Sequence, residues 1–150
     1  MILPDFKAFP RSGRILGIDW GLRRIGVAVS DPTRGFVFVR DAIVVPRGAN
    51  NHAERVANIV RDEGCVGVVV GLPVHSDGAE SETSAMVRAF VADLAQQIDV
   101  PICMLEENLT SVVAQEDMGR VRVNELKQKL DSESARVILE NAIAIINRAG

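Results

Sequence analysis

The sequence contains no tyrosine, one tryptophan, five phenylalanines, two histidines and two cysteines among its 150 residues. So few rings argue against a broad base-stacking platform. Cys65 and Cys103 lie far apart, each in or beside a predicted strand, with no metal-ligand partner at close spacing. That pattern reads as two reduced, buried thiols rather than a disulfide or a zinc site. No apolar run reaches the length of a membrane span. The opening "MILPDFKAFPRSGR" carries an acid at Asp5 and a broken apolar run, so it does not read as a signal peptide. The expectation is a cytoplasmic protein without membrane contact.

Repeats, low-complexity tracts and Pro/Gly/Ser-rich linkers are also missing. The chain therefore reads as one domain over residues 13–150, behind an irregular arm at residues 1–12. Lysine is scarce: fourteen of the seventeen cations are arginine, the residue suited to forked phosphate contacts. The formal charge is −3, but it is divided unevenly. Residues 1–61 carry ten cations and five acids, and residues 62–150 carry seven cations and fifteen acids. The first part suits contact with phosphates, and the second holds most of the acids.

What is abundant is short, β-branched apolar runs. "RILGIDW" and "IGVAVSD" flank "GLRR" and suit a hairpin, and "GFVFVRD" suits a third strand after the turn signal "DPTRG". Ala53, Val56, Ala57 and Val60 fall at helical spacing. "VGVVVG" at 66–71 and "PICMLEE" at 101–107 read as strands buried on both faces. Between them, Val87, Phe90, Val91, Leu94 and Ile98 mark a second helix. A third is expected from about Leu109 to Met118, then a polar loop or frayed helix at "GRVRVNELKQK". A last helix carries Ala135, Ile138, Leu139, Ala142, Ile145 and Ile146 on one stripe. The order β-β-β-α-β-α-β-α-α implies an α/β fold: a mixed five-stranded sheet with helices on its faces. Sites in such sheets form at the carboxyl ends of strands.

Acids stand where that rule directs attention. Asp19 ends the first predicted strand, and Glu106 and Glu107 end the last. Asp131 precedes the inward stripe of the final helix by one turn. Carboxylates at inward positions are costly unless they share a hard cation. Two such ions about 4 Å apart can activate water and stabilise the leaving oxygen in phosphodiester cleavage. The plainer alternatives are a helix cap at Asp131 within "DSES", solvated glutamates at 106 and 107, and a turn hydrogen bond for Asp19. "GLP" at 71–73 reads as a structural turn, His75 as a solvated loop residue, and Trp20 as core packing rather than base stacking.

Four segments in order, "ILGIDWGLRRIGVAVSDP", "VVVGLPVHSDGAESE", "PICMLEENLTSVVAQ" and "KLDSESARVILENAI", resemble the YqgF family of pre-16S rRNA nucleases and Holliday-junction-resolvase-like proteins. The resemblance spans residues 14–148. It implies an RNase H-like fold and divalent-metal hydrolysis of phosphodiester bonds, with Mg²⁺ or Mn²⁺ as cofactor. It further implies a part in maturing the 16S rRNA 5′ end in ribosome biogenesis. Matching the family motifs assigns Asp19, Glu107 and Asp131 as catalytic and metal-binding residues, with Asp131 opening the final helix. Arg23 and Arg24 are the candidates for substrate phosphates. The sequence departs from the family's usual Asp-Glu-Arg at Glu106 and Asn108. The expected partner is nucleic acid, precursor rRNA or branched DNA, bound by a monomer or homodimer. Two rivals are a one-lobed relative of the actin-like and Hsp70-like ATPases, from "GIDWG…RIGVAV", and a non-cutting nucleic-acid adaptor.

Overall fold

The computed structural model describes residues 1–74, 82–108 and 123–149, with only the backbone described for Asn108, residues 123–131 and Ala149. His75 and the helix expected at 109–118 lie outside these residues. The strands are β1 (Ile2–Leu3), β2 (Ile15–Asp19), β3 (Arg24–Ser30), β4 (Val37–Val44), β5 (Gly67–Val74) and β6 (Ile102–Asn108). The helices are α1 (His52–Glu63), α2 (Glu82–Ala95) and α3 (Val123–Ala149). The strands form one mixed sheet in the order β1-β6-β5-β2-β3-β4. β2, β3 and β4 make the antiparallel meander that the short links require, while β2, β5 and β6 run parallel.

The sheet has six strands rather than five. The extra one, β1, pairs in parallel with β6 through Ile2 and Leu3, and the Met1 carbonyl accepts a hydrogen bond from Ile102 N at 2.8 Å. Two residues cannot display a strand period, so composition gave no sign of it. The same arm places Phe6 and Phe9 edge to face at 5.5 Å, and Phe9 is buried against Gly67, where a Cβ would lie 2.5 Å from its ring.

Two cores flank the sheet. On one side α1 and α2 bury Ala53, Val56, Ala57, Val60, Val87, Phe90, Val91 and Leu94 against Ile18, Val27 and Val70. On the other, α3 lays Ala135, Ile138, Leu139, Ala142 and Ile146 over Ile15, Ala28, Val69 and Cys103. Full burial of each large aliphatic side chain contributes about 2 kcal/mol. α3 comes very close to the sheet because position 17 is glycine: a Cβ there would stand 2.8 Å from Leu139 Cβ and 2.9 Å from the Ala135 carbonyl. Both cysteines are free and buried, and burial pushes each thiol up to about 11. No helix among the described residues is long and apolar enough to cross a membrane.

α3 runs through the stretch expected to be loop or frayed helix, so Asp131 lies in its interior, not at its start. A capping role for Asp131 or Ser132 is thereby excluded, since a cap stands at a helix end. Ser132 is instead buried and donates to the Arg40 carbonyl at 2.7 Å, tying α3 to β4. "GLP" is likewise not a turn: β5 continues to Val74 because its pairing with β6 persists to Val74↔Asn108.

Candidate active site

Side chains alternate across a strand, so one residue decides which face a group occupies. Along β6, Cys103 belongs to the α3 core, and the same parity puts Leu105 and Glu107 on that side. Glu106 falls on the other face, exposed, lining a hollow with Leu3, Leu72, Arg88 and Met104. Along β2, Ile15 faces α3, and Gly17 and Asp19 follow in phase. Asp19 and Glu107 therefore share the α3 face at the carboxyl edge of the sheet, and Glu106 does not.

The residue between them is Gly71. Ile18 is in register with Val70, so extending the pairing by one residue sets Asp19 beside Gly71. From the other neighbouring strand, Glu107 reaches back over the same glycine. A Cβ at position 71 would lie 2.7 Å from Glu107 Oε2 and 2.5 Å from Ile138 Cδ1. The missing side chain makes room for the carboxylate and for α3. Glu107 is half-buried, and desolvation raises its carboxyl to about 7. Charge removed from water in this way favours a cation as neighbour.

Asp131 belongs to the same region by its backbone. It stands one turn before Ala135, whose carbonyl lies over Gly17; its side chain is outside the described ones. Among the described side chains no three acids, histidines or cysteines gather into a metal-binding group. The described pair already fits a hard divalent ion. Both donors are carboxylate oxygens, and Mg²⁺ is commonly held by one or two carboxylates, with waters and substrate phosphates completing its shell.

The two arginines differ. Arg23 is exposed at the β2–β3 turn, where its carbonyl accepts from Val45 N at 2.7 Å. Arg24 opens β3, where Gly26 is opposite Asp19, and alternation puts it on the Asp19 face. It is half-buried, and its Nη1 is enclosed without a hydrogen-bond partner among the described residues. An enclosed guanidinium nitrogen of this kind is costly until an anion reaches it.

Trp20, next after Asp19, turns to the opposite face. It packs against the core as expected, but is only half-buried and also lines an open cleft. No local pattern marks that cleft, because its walls come from the β2–β3 turn, α1 and α2.

A family profile described as "RuvX: Holliday junction resolvase" matches residues 13–144. A protein of Maridesulfovibrio salexigens named "Putative pre-16S rRNA nuclease" is 33% identical over 141 residues, covering 87% of this chain and 98% of that one. A protein of the same name from Paracoccus denitrificans is 36% identical over 144 residues, covering 91% and 87%. Among solved structures, T. thermophilus RuvC in complex with a Holliday junction substrate superposes with a TM-score of 0.53 at 17% identity, over 87% of this chain and 93% of that chain. The architecture is thus RNase H-like, and the chain belongs to the RuvX (YqgF) family of nucleases.

Proposed function

We propose that this protein hydrolyses phosphodiester bonds in nucleic acid with a divalent metal ion, Mg²⁺ or Mn²⁺, and that its substrate is the 5′ end of precursor 16S rRNA. The observation that carries the reading is the placement of Asp19 and Glu107, at the ends of β2 and β6, on the α3 face on either side of Gly71, whose missing side chain leaves room for the Glu107 carboxylate. Asp19, Glu107 and, from α3, Asp131 would hold the metal. Bound there, the ion supplies Lewis-acid stabilisation of charge on the phosphate and an acidified water.

The chain's own residues do the rest. Gly71 leaves the space that Glu107 and Ile138 fill, so the carboxylate lies close against the sheet edge. Arg24, with an enclosed nitrogen on the Asp19 face that has no partner among the described residues, takes a phosphate oxygen, and exposed Arg23 holds the adjoining backbone. Packing of Ile138 against Gly71 fixes the Glu107 carboxylate and keeps water from its apolar side. The reading places the protein in the cytoplasm, where ribosomes are made, as a monomer or homodimer.

The test is a cleavage assay with Mg²⁺ and with Mn²⁺ on precursor rRNA and on a four-way DNA junction, with Asp19→Asn as control. Metal-dependent cutting of the RNA, lost in the variant, supports the proposal. Cutting of the junction alone reassigns the substrate to branched DNA, the class in the family's description. Binding without metal-dependent cutting makes the protein an adaptor.

A further inference from the structure

The cleft behind Trp20 lies on the α1/α2 side of the sheet. It has a volume of about 300 Å³, and its walls include Trp20, Leu22, His52, Met86, Phe90 and Asp93. We propose that it is a nucleobase pocket, taking an unstacked, amino-bearing base of the substrate strand from a nucleotide flanking the cleaved bond. This rests on the nuclease reading above and assigns how that same site grips its strand.

Four observations carry it. First, Trp20 follows Asp19 directly, so the two side chains leave the same strand end in opposite directions. A strand crossing this edge meets the acids on one face and the indole on the other. Second, the ring is half-buried at the cleft rather than sealed in the core, with Phe90 tilted against it at 6.4 Å and His52 at 5.6 Å between centroids. Leu22 and Met86 meanwhile stand at the cleft 58% and 45% exposed, apolar surface that packing among the described residues leaves uncovered. Third, the mouth is pinned: His52 Nε2 donates to the Leu22 carbonyl at 2.7 Å, joining the β2–β3 turn to the start of α1. Fourth, the charge selects the occupant. Among the described residues the lining contains no lysine or arginine and does contain Asp93, so a phosphate is repelled, whereas a carboxylate accepts from the amino group of cytosine, adenine or guanine. The next exposed cation along the turn, Arg23, holds the phosphate outside.

Trp20 is the only tryptophan in a chain without tyrosine, so emission reports on this cleft alone. The experiment titrates the intact protein in EDTA, which prevents cleavage, with three fluorescent-labelled strands of equal length: oligocytidylate, oligouridylate and an abasic strand. Binding is read by anisotropy on labelled strand, and stacking by tryptophan quenching with unlabelled strand. The expected result is saturable quenching by oligocytidylate, weaker quenching by oligouridylate and none by the abasic strand, whose affinity is about tenfold lower. Met86→Glu, at an exposed position, should lower affinity for oligocytidylate about tenfold and leave the abasic strand unchanged.

Binding of all three strands with equal affinity and no quenching overturns the pocket while leaving the nuclease reading standing. Quenching by oligouridylate equal to that by oligocytidylate overturns the role given to Asp93. Failure to bind any strand overturns both the pocket and the proposed function.

Discussion

At the carboxyl edge of the sheet the two faces have been built to opposite specifications. On the α3 face Asp19 and Glu107 stand on either side of a glycine close under a helix, and an arginine of the same face has an enclosed nitrogen. On the α1/α2 face, one residue further along β2, the surface is an open apolar cleft around a half-buried indole. Both faces use the same strands, and alternation of side chains separates them. The sheet acts as a partition, with acidic side chains on one side and an apolar, aromatic surface on the other.

The largest effect should follow from removing charge on the first face. Asp19→Asn should cut the cleavage rate at least about 1,000-fold, equivalent to about 4 kcal/mol of transition-state stabilisation, with nucleic-acid affinity in EDTA retained. A variant cutting at the normal rate breaks the division of labour between the faces.

The neighbouring glutamates sharpen it. Glu107→Gln should lower metal-dependent cleavage by about 100-fold or more, and Glu106→Gln by no more than about twofold, measured side by side at saturating metal. Equal losses would mean that strand parity does not assign the ligand.

Gly71→Ala tests the close approach. The added methyl meets both Glu107 and Ile138, so the carboxylate must move. A shift of about 1 Å costs about 100-fold in rate, and overpacking costs about 1–3 kcal/mol of stability, read from turnover and urea unfolding of the same preparation. Ile138→Val alongside it should recover part of the stability.

The last test concerns proton uptake. Burial raises the Glu107 carboxyl from 4.5 to about 7, so between those values the folded state holds a proton that the unfolded chain releases. Stability of the metal-free protein must therefore fall as pH rises through this window, by up to about 3 kcal/mol from this group. Glu107→Gln should flatten that part of the profile and be the more stable protein at pH 8. Metal binding should weaken progressively below pH 7, because the ion must displace the proton; calorimetry at several pH values reads this directly.

Much of this was legible beforehand. The meander came from β-branched runs at hairpin spacing, and the three helix stripes from periods that the cores confirm. Asp19 stood out as an acid ending an apolar strand. Three things were not legible, for three physical reasons. Whether Glu106 or Glu107 faces Asp19 depends on the register of β5 against β6, which the crossover sets and no local pattern encodes. The start of α3 was hidden because "GRVRVNELKQK" lacks an apolar stripe, so Asp131 seemed to open a helix that begins at Val123. The cleft at Trp20 joins three segments distant in sequence, and only tertiary packing makes it a surface.

The contact at Gly71 has an evolutionary corollary. Ile138 and Glu107 compete for the same few cubic ångströms, so folding and chemistry draw on one volume and cannot drift apart. Among homologous chains, a side chain appearing at position 71 should be accompanied by a shorter one at position 138, and the pair should change together or not at all.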